Sequence, residues 1–272
     1  MKDNDCVQLL QWALPQLRMR WQGFRKVRRQ VCKRIQRRWD ELELSGERGY
    51  RAYLQAHPEE WQILDRLCRV TISRFYRDRK VFTFLAREVL PELARGTLAR
   101  GERTLRLWSA GCGSGEEPYT LALLWELALR SRFPRLEVRI LATESDPKMI
   151  RRAHEARYSA SSLKDVPTAW RDAAFVETGN QYTLRAAFRT SVEYRCQDLR
   201  ETVPEGPFDL VLCRNLAFTY WDVDLQLDAA CRIVETLIPG GSLVIGTHET
   251  LPPGLDGLVP WSEALPVHRR RG

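Results

Sequence analysis

The stretch that most constrains this chain runs from Thr104 to Trp125, Thr-Leu-Arg-Leu-Trp-Ser-Ala-Gly-Cys-Gly-Ser-Gly-Glu-Glu-Pro-Tyr-Thr-Leu-Ala-Leu-Leu-Trp. Leu105, Leu107 and Ala110 form a short β-type run that ends at a loop with Gly111, Gly113 and Gly115. Glu116, Glu117 and Pro118 then open a helical pattern that carries Leu121, Leu124, Trp125 and Ala128 on one face. Strand, glycine-rich turn and helix, in that order, is how α/β folds bind nucleotide cofactors, because glycine lets the backbone approach a ligand closely. The glycine spacing is not that of the dinucleotide fingerprint.

The two glutamates sharpen this reading. A pyrophosphate needs bare N–H groups and positive potential at the helix N-terminus, and paired carboxylates there repel it. Glu116 and Glu117 suit instead a cofactor with cationic groups and no phosphate, such as S-adenosylmethionine with its ammonium and sulfonium. The alternative is that they only complement the helix dipole, as acids in a first turn do.

Composition bounds the rest. A chain of 272 residues, 44 % hydrophobic and 29 % charged, can bury a full core and hold one large or two small domains. No apolar run approaches the roughly 18 residues that a membrane span requires. Met1-Lys2-Asp3-Asn4-Asp5 does not begin a signal peptide, so the expected location is the cytoplasm with no membrane insertion. Seven cysteines without a Cys-x-x-Cys pair predict reduced thiols, and four unclustered histidines predict no metal site. The net charge of +8 predicts an acidic partner.

That charge is concentrated. Between Arg18 and Arg38 there are ten lysines or arginines and no acid. Phe24, Val27, Val31, Ile35 and Trp39 recur at helical spacing, with Arg25, Lys26, Arg29, Lys33 and Arg37 on the opposite side. The pattern predicts a basic amphipathic helix over about 18–42, broken at Ser45-Gly46. Its basic face is either a solvated surface or a docking site for an acidic protein. Nucleic-acid binding would want exposed aromatics among the basics, and Trp39 belongs to the apolar stripe, which argues against it.

The Trp108–Tyr119 segment resembles the signature of CheR-type chemotaxis methyltransferases, which methylate receptor glutamates with S-adenosylmethionine. A second signature of that family is similar to Val70-Thr71-Ile72-Ser73-Arg74-Phe75-Tyr76-Arg77-Asp78, and carries cleft roles onto Thr71, Ser73 and Arg77. A third resembles Cys213-Arg214-Asn215-Leu216, at the end of the apolar run Phe208–Cys213, and carries cofactor contacts onto Asn215 and Leu216. Here the chain departs from the family pattern: Tyr220-Trp221-Asp222 stands one residue further from the asparagine than usual. Tyr220 is then the expected counterpart of the family's cleft tyrosine, with an altered approach.

The resemblance implies a doubly wound, Rossmann-like class I methyltransferase domain over 96–272. It is preceded by a helical domain over 1–95, whose basic helix would meet the acidic helices of a receptor. A small antiparallel β insertion is implied over about 158–191, where Thr178-Gly179-Asn180 reads as a hairpin turn and a peptide-binding role is not expected. Five parallel-sheet strands are expected, the last over Ser242–Thr247 after a stop at Pro239-Gly240-Gly241, with a short edge strand over Val267–Arg270.

Ala110, Gly111, Gly113 and one or both of Glu116 and Glu117 would hold the methionine end, and Glu144, just past the second strand, the ribose diol. Asp198 and Leu199 would meet the adenine, with Asn215 and Leu216 beside it. Asp146 with Pro147 reads as the cap of the next helix. Arg77 and Tyr220 would frame the acceptor. A glutamate side chain on a protein is the implied acceptor; a small molecule, another protein side chain, or a non-enzymatic regulatory role are the alternatives.

Overall fold

The fold is that of a computed structural model, which describes residues 3–44 and 46–272; the break expected at Ser45 lies outside the described residues. The chain forms two compact units, one of residues up to Thr71 together with Thr219–Gln226, the other of Ile72–Phe218 with Leu227–Gly272. The helices between Arg79 and Ala99 therefore pack with the sheet rather than with the N-terminal unit.

The first unit is helical, with its longer elements at Asp3–Ala13, Arg28–Glu41, Gly46–Ala56 and Glu60–Cys68. The stripe of Phe24, Val31, Ile35 and Trp39 is buried, and Arg25, Lys26, Arg29, Lys33 and Arg37 are exposed, as the periodicity requires. The basic helix does not run unbroken over 18–42. A short turn at Trp21–Phe24 is separated from Arg28–Glu41, because residues 18–20 are held by 219–222. Met19 bridges Trp221, Arg20 N–H donates to Tyr220 O at 2.8 Å, and a Cβ on Gly23 would stand 2.3 Å from Thr219 O. Arg34 and Arg38 are among the cations that turn inward. Arg34 donates to Leu67 O at 3.2 Å, and Arg38 forks onto the buried Glu60 at 2.9 and 2.7 Å. Tyr50 O–H donates to the same carboxylate at 2.8 Å, and burial pushes its hydroxyl above the usual phenol range.

The expectation that all thiols are free is overturned here. Cys6 and Cys32 form a disulfide joining the first helix to the basic helix, with Cα atoms 5.8 Å apart. Nothing in the sequence spacing signals it; the packing of two helices 26 residues apart in sequence brings the thiols together.

The second unit is built on a seven-stranded sheet. Its strands are β1 Thr104–Ala110, β2 Glu137–Glu144, β6 Val192–Cys196, β7 Phe208–Cys213, β8 Leu237–Val244, β9 Leu258–Pro260 and β10 Val267–Arg270. A separate three-stranded antiparallel sheet is made by β3 Arg157–Ser159, β4 Phe175–Thr178 and β5 Gln181–Leu184, with β4 and β5 joined at Gly179. The large sheet has the order β6-β2-β1-β7-β8-β10-β9, parallel as far as β8, with the last two strands antiparallel. Chain order reverses between β1 and β7, so the carboxyl ends of these two strands flank the crevice where open α/β sheets bind ligands.

Every residue of β7 is buried, as a central parallel strand should be. Its one acid, Asp209, is satisfied by Arg106 N–H at 2.8 Å and Arg100 at 2.8 Å. Pro239-Gly240-Gly241 does not stop the chain before the fifth parallel strand but lies inside β8. A register shift opposite Phe208–Leu210 and a φ of +78° at Gly240 absorb the extra residues as a bulge.

The disulfide gives a direct test. Thiol titration of the denatured, unreduced protein should count five cysteines, Cys68, Cys112, Cys196, Cys213 and Cys231. Reduction should then lower the stability of the helical unit by about 3 kcal/mol, the chain-entropy value for a loop of this length, read by urea unfolding. Seven thiols without reductant would contradict the pairing.

Candidate active site

The loop after β1 is held open by its own backbone. Gly111, Gly113 and Gly115 have φ of +73°, +56° and +91°, in the region where only glycine is unstrained. Side chains crowd two of them: a Cβ on Gly111 would lie 2.4 Å from Leu216, and one on Gly115 would lie 2.5 Å from the Tyr194 hydroxyl. At Gly113 the nearest atom to an added Cβ is Ser73 Cβ at 3.6 Å, so a methyl would occupy the gap between loop and Ser73. The N–H groups of Gly111 and Cys112 are both spent on Thr143 O, at 2.8 and 3.0 Å, and are not available to a phosphate. Burial, with the negative charges of Glu144 and Glu117, pushes the Cys112 thiol well above its usual range, so it is no nucleophile.

Three carboxylates surround this loop. Glu144, at the end of β2, accepts from Gly113 N–H at 3.0 Å with one oxygen and from Asp146 N–H at 3.0 Å with the other. The second oxygen also accepts from Ser145 Oγ at 3.3 Å, so the open lone-pair site, on the oxygen facing Gly113, is the one left for a ribose hydroxyl. Asp146 caps the next helix by accepting from Lys148 N–H at 2.8 Å, with Pro147 at the first turn. Glu116 is buried and takes both Ser114, at 3.2 and 3.0 Å, and Ser162, at 3.3 Å. Glu117 accepts from Ser109 Oγ at 2.8 Å and from Arg214 at 2.9 Å. The two glutamates are thus not equivalent: Glu116 pins the loop and Glu117 faces the charged side of the crevice.

The segment Ile72–Asp78 straps across the start of the helix Glu116–Leu124. Phe75 N–H donates to Ser162 O at 3.0 Å, and Tyr76 N–H to Thr120 Oγ1 at 3.1 Å. Arg77 then donates to Ile72 O at 2.7 Å and to Asn215 Oδ1 at 3.0 Å. Asn215 N–H donates in turn to the buried Glu249 at 2.9 Å, which also takes Gly246 N–H at 2.5 Å. Tyr76, Asp78 and Asn215 all have positive φ, of 57°, 65° and 57°. Non-glycine residues in that region are strained, and such strain gathers at functional sites.

Arg214 joins these parts. Its side chain is 2 % exposed, donates to Glu117 at 2.9 Å, Arg77 O at 2.9 Å and Asp78 at 2.6 Å, and lies over the Phe82 ring at 5.1 Å. Sequence reasoning missed Arg214 and Glu249 as site residues. The signal for the first was an arginine following a mostly apolar strand, where a cation must find carboxylates; the second stood in the stretch His248-Glu249-Thr250, with nothing local to show its burial.

The structure gathers Ser73, Arg77, Ala110, Gly111, Gly113, Glu116, Glu117, Glu144, Asn215 and Leu216 around the ends of β1, β2 and β7. Leu199 is buried, and Asp198 is clasped by Arg200 at 2.8 and 3.1 Å. Thr71 is exposed and belongs to the helical unit. So does Tyr220, whose ring packs on Phe24 with centroids 5.0 Å apart. Among the described residues no group of His, Cys, Asp and Glu could hold a metal ion, and no helix is long and apolar enough to cross a membrane.

A loop ringed by carboxylates, with the N–H groups of Gly111, Cys112 and Gly113 already committed, suits a cationic nucleoside better than a dinucleotide. Removing the central cation should be costly, because two carboxylates would remain without it. Arg214→Met should lose about 3–5 kcal/mol in urea unfolding. A loss below 1 kcal/mol would show the cation to be dispensable.

Known proteins agree with this chemistry. The family model "CheR methyltransferase, SAM binding domain" matches residues 71–263. A chemotaxis protein methyltransferase of Listeria monocytogenes is 35 % identical over 68 % of this chain and 67 % of its own. Chemotaxis protein methyltransferase 2 of Vibrio cholerae is 31 % identical over 81 % of this chain and 77 % of its own. With the glycine loop, the acidic ring and the Arg77–Asn215 pair all within the matched span, this chain belongs to the CheR methyltransferase family and is an S-adenosylmethionine-dependent methyltransferase.

Proposed function

We propose that the methyl acceptor is a glutamate carboxylate on an acidic protein of the chemoreceptor type. The observation that carries this is the state of Arg77. Its guanidinium is held by two neutral acceptors, Ile72 O and Asn215 Oδ1, and makes no ion pair among the described residues. Its nearest acid in sequence, Asp78, is taken by Arg214. A positioned cation beside the cofactor loop, without a carboxylate of its own, is a place for a substrate carboxylate.

The chemistry asks little else of the protein. A glutamate is ionised at neutral pH, so no general base is needed. The cofactor, when bound, supplies a methyl group on a sulfonium; the acceptor oxygen takes the methyl as the C–S electron pair returns to sulfur. What the chain contributes is alignment. Glu144 would hold the ribose, and Gly113 with Ser73 would bound the methionine end. Glu117, oriented by Arg214, would face the ammonium. Asp198, Leu199, Asn215 and Leu216 would flank the adenine; Thr71 remains a candidate by the resemblance alone.

The exposed face of Arg25, Lys26, Arg29, Lys33 and Arg37 supports docking of the acceptor's acidic helices on the N-terminal unit. Tyr220 remains a candidate for the acceptor side. A cytoplasmic location is the setting that such a partner requires.

The reading is tested by methyl-label transfer to a purified receptor cytoplasmic domain. Transfer should give a base-labile product, the mark of a carboxyl ester. Arg77→Ala should lower kcat/KM on the order of 10²-fold, the scale of lost orientation, with little change in unfolding midpoint. A base-stable product, or full activity in the folded variant, would contradict it.

A further inference from the structure

The helix that begins after Asp78 has two faces with different uses. Its inner face carries Val81, Phe82, Leu85 and Val89 into the core, and the Phe82 ring lies beneath the buried Arg214. Its outer face presents Arg79, Lys80, Thr83, Phe84, Arg87 and Glu88, which with Trp261 line a groove of about 840 Å³. None of these residues belongs to the cofactor loop. The floor is aromatic, from Phe84 and Trp261, and the rim is cationic. One face of Trp261 is covered by the Arg269 guanidinium, 4.5 Å from the ring centroid and neutralised by Glu92 at 2.6 Å.

Arg79, Lys80 and Arg87 are exposed and make no ion pair among the described residues. Three unpaired cations on one rim, against the single acid Glu88, give the groove a net positive field over an apolar base. Unpaired cations around a half-buried aromatic floor are complementary to a partner that alternates carboxylates with apolar side chains. A polynucleotide would also meet cations and rings here, but Glu88 would repel each phosphate passing it. A peptide can turn a backbone N–H or a neutral side chain to that point.

The geometry points to this groove as a second docking surface, taking a glutamate-rich segment of the acceptor protein with an apolar side chain seated between Phe84 and Trp261. The inference rests on the reading that the acceptor is an acidic protein. The groove shares a helix with the strap that holds Arg77, so a segment bound there is tethered within the same unit as the cofactor loop.

The test uses the full chain and a short fluorescein-labelled peptide of alternating glutamates and leucines with a central tryptophan, read by anisotropy. Binding should weaken about tenfold in the double variant R79E/R87E and with added salt, as rim cations predict. The variant R132E/R135E, altered on the exposed loop before β2, should bind as the unaltered protein does. Both pairs are exposed, so folding is not at risk, and titration with S-adenosylhomocysteine should be the same for all three proteins.

Absence of peptide binding, equal affinity in R79E/R87E, or an equal loss in R132E/R135E would each overturn the proposal. So would an oligothymidylate that displaces the peptide as well as unlabelled peptide does. Failure of methyl transfer to the receptor domain with peptide binding intact would instead overturn the acceptor reading, and the groove would stand as a site for another acidic protein.

Discussion

One buried cation sets the form of the catalytic unit. Arg214 emerges from the end of the central strand β7 into a region with almost no access to water. A guanidinium there must be matched by carboxylates and carbonyls, because taking it out of water costs several kcal/mol unless its donors are satisfied. Glu117 comes from the helix Glu116–Leu124, and Asp78 and the Arg77 carbonyl from the strap. Each of these belongs to a different stretch of sequence, so the ion network fixes where three motifs must meet. The left-handed backbone at Tyr76, Asp78 and Asn215 is the strain that this meeting entails.

From that constraint the site follows. Because Arg214 consumes Asp78, Arg77 is left to neutral acceptors and keeps its charge unmatched. Because Glu117 is oriented by Arg214 and Glu116 is buried against Ser114 and Ser162, the loop carries fixed negative charge without collapsing onto it. The N–H groups of Gly111 and Cys112 are tied to Thr143 O and that of Gly113 to Glu144, which removes donors that a phosphate site would use. Selectivity for a cationic cofactor therefore comes from what the turn lacks as much as from its acids.

Much of this was legible in the sequence, and for a local reason. The strand, the glycines, the glutamates and the helix of 104–125 are contiguous, so their arrangement is dictated by neighbours along the chain. The same holds for Glu144 at the end of β2, for the Asp146–Pro147 cap, and for the apolar β7. The parts that were not legible depend on partners far away. The basic helix is broken because residues 18–20 pair with 219–222, about 200 positions distant in the notation of Arg20 with Thr219. The Cys6–Cys32 bond depends on helix packing, and Pro239–Gly241 continues a strand because a bulge against β7 absorbs it. The extra residue before Tyr220 was visible as a spacing; its consequence was not. The Tyr220 ring lies on Phe24, and its carbonyl takes the Arg20 N–H.

The account stands on the claim that the turn after β1 receives a nucleoside that carries an amino-acid chain and no phosphate. Calorimetric titration of the full chain with S-adenosylhomocysteine, set beside the same titration with NADH, measures it most directly. The account predicts a saturable one-site isotherm for the first, abolished by Gly113→Val, and no heat of binding for the second. A silent titration with S-adenosylhomocysteine, or an isotherm with NADH, would contradict it.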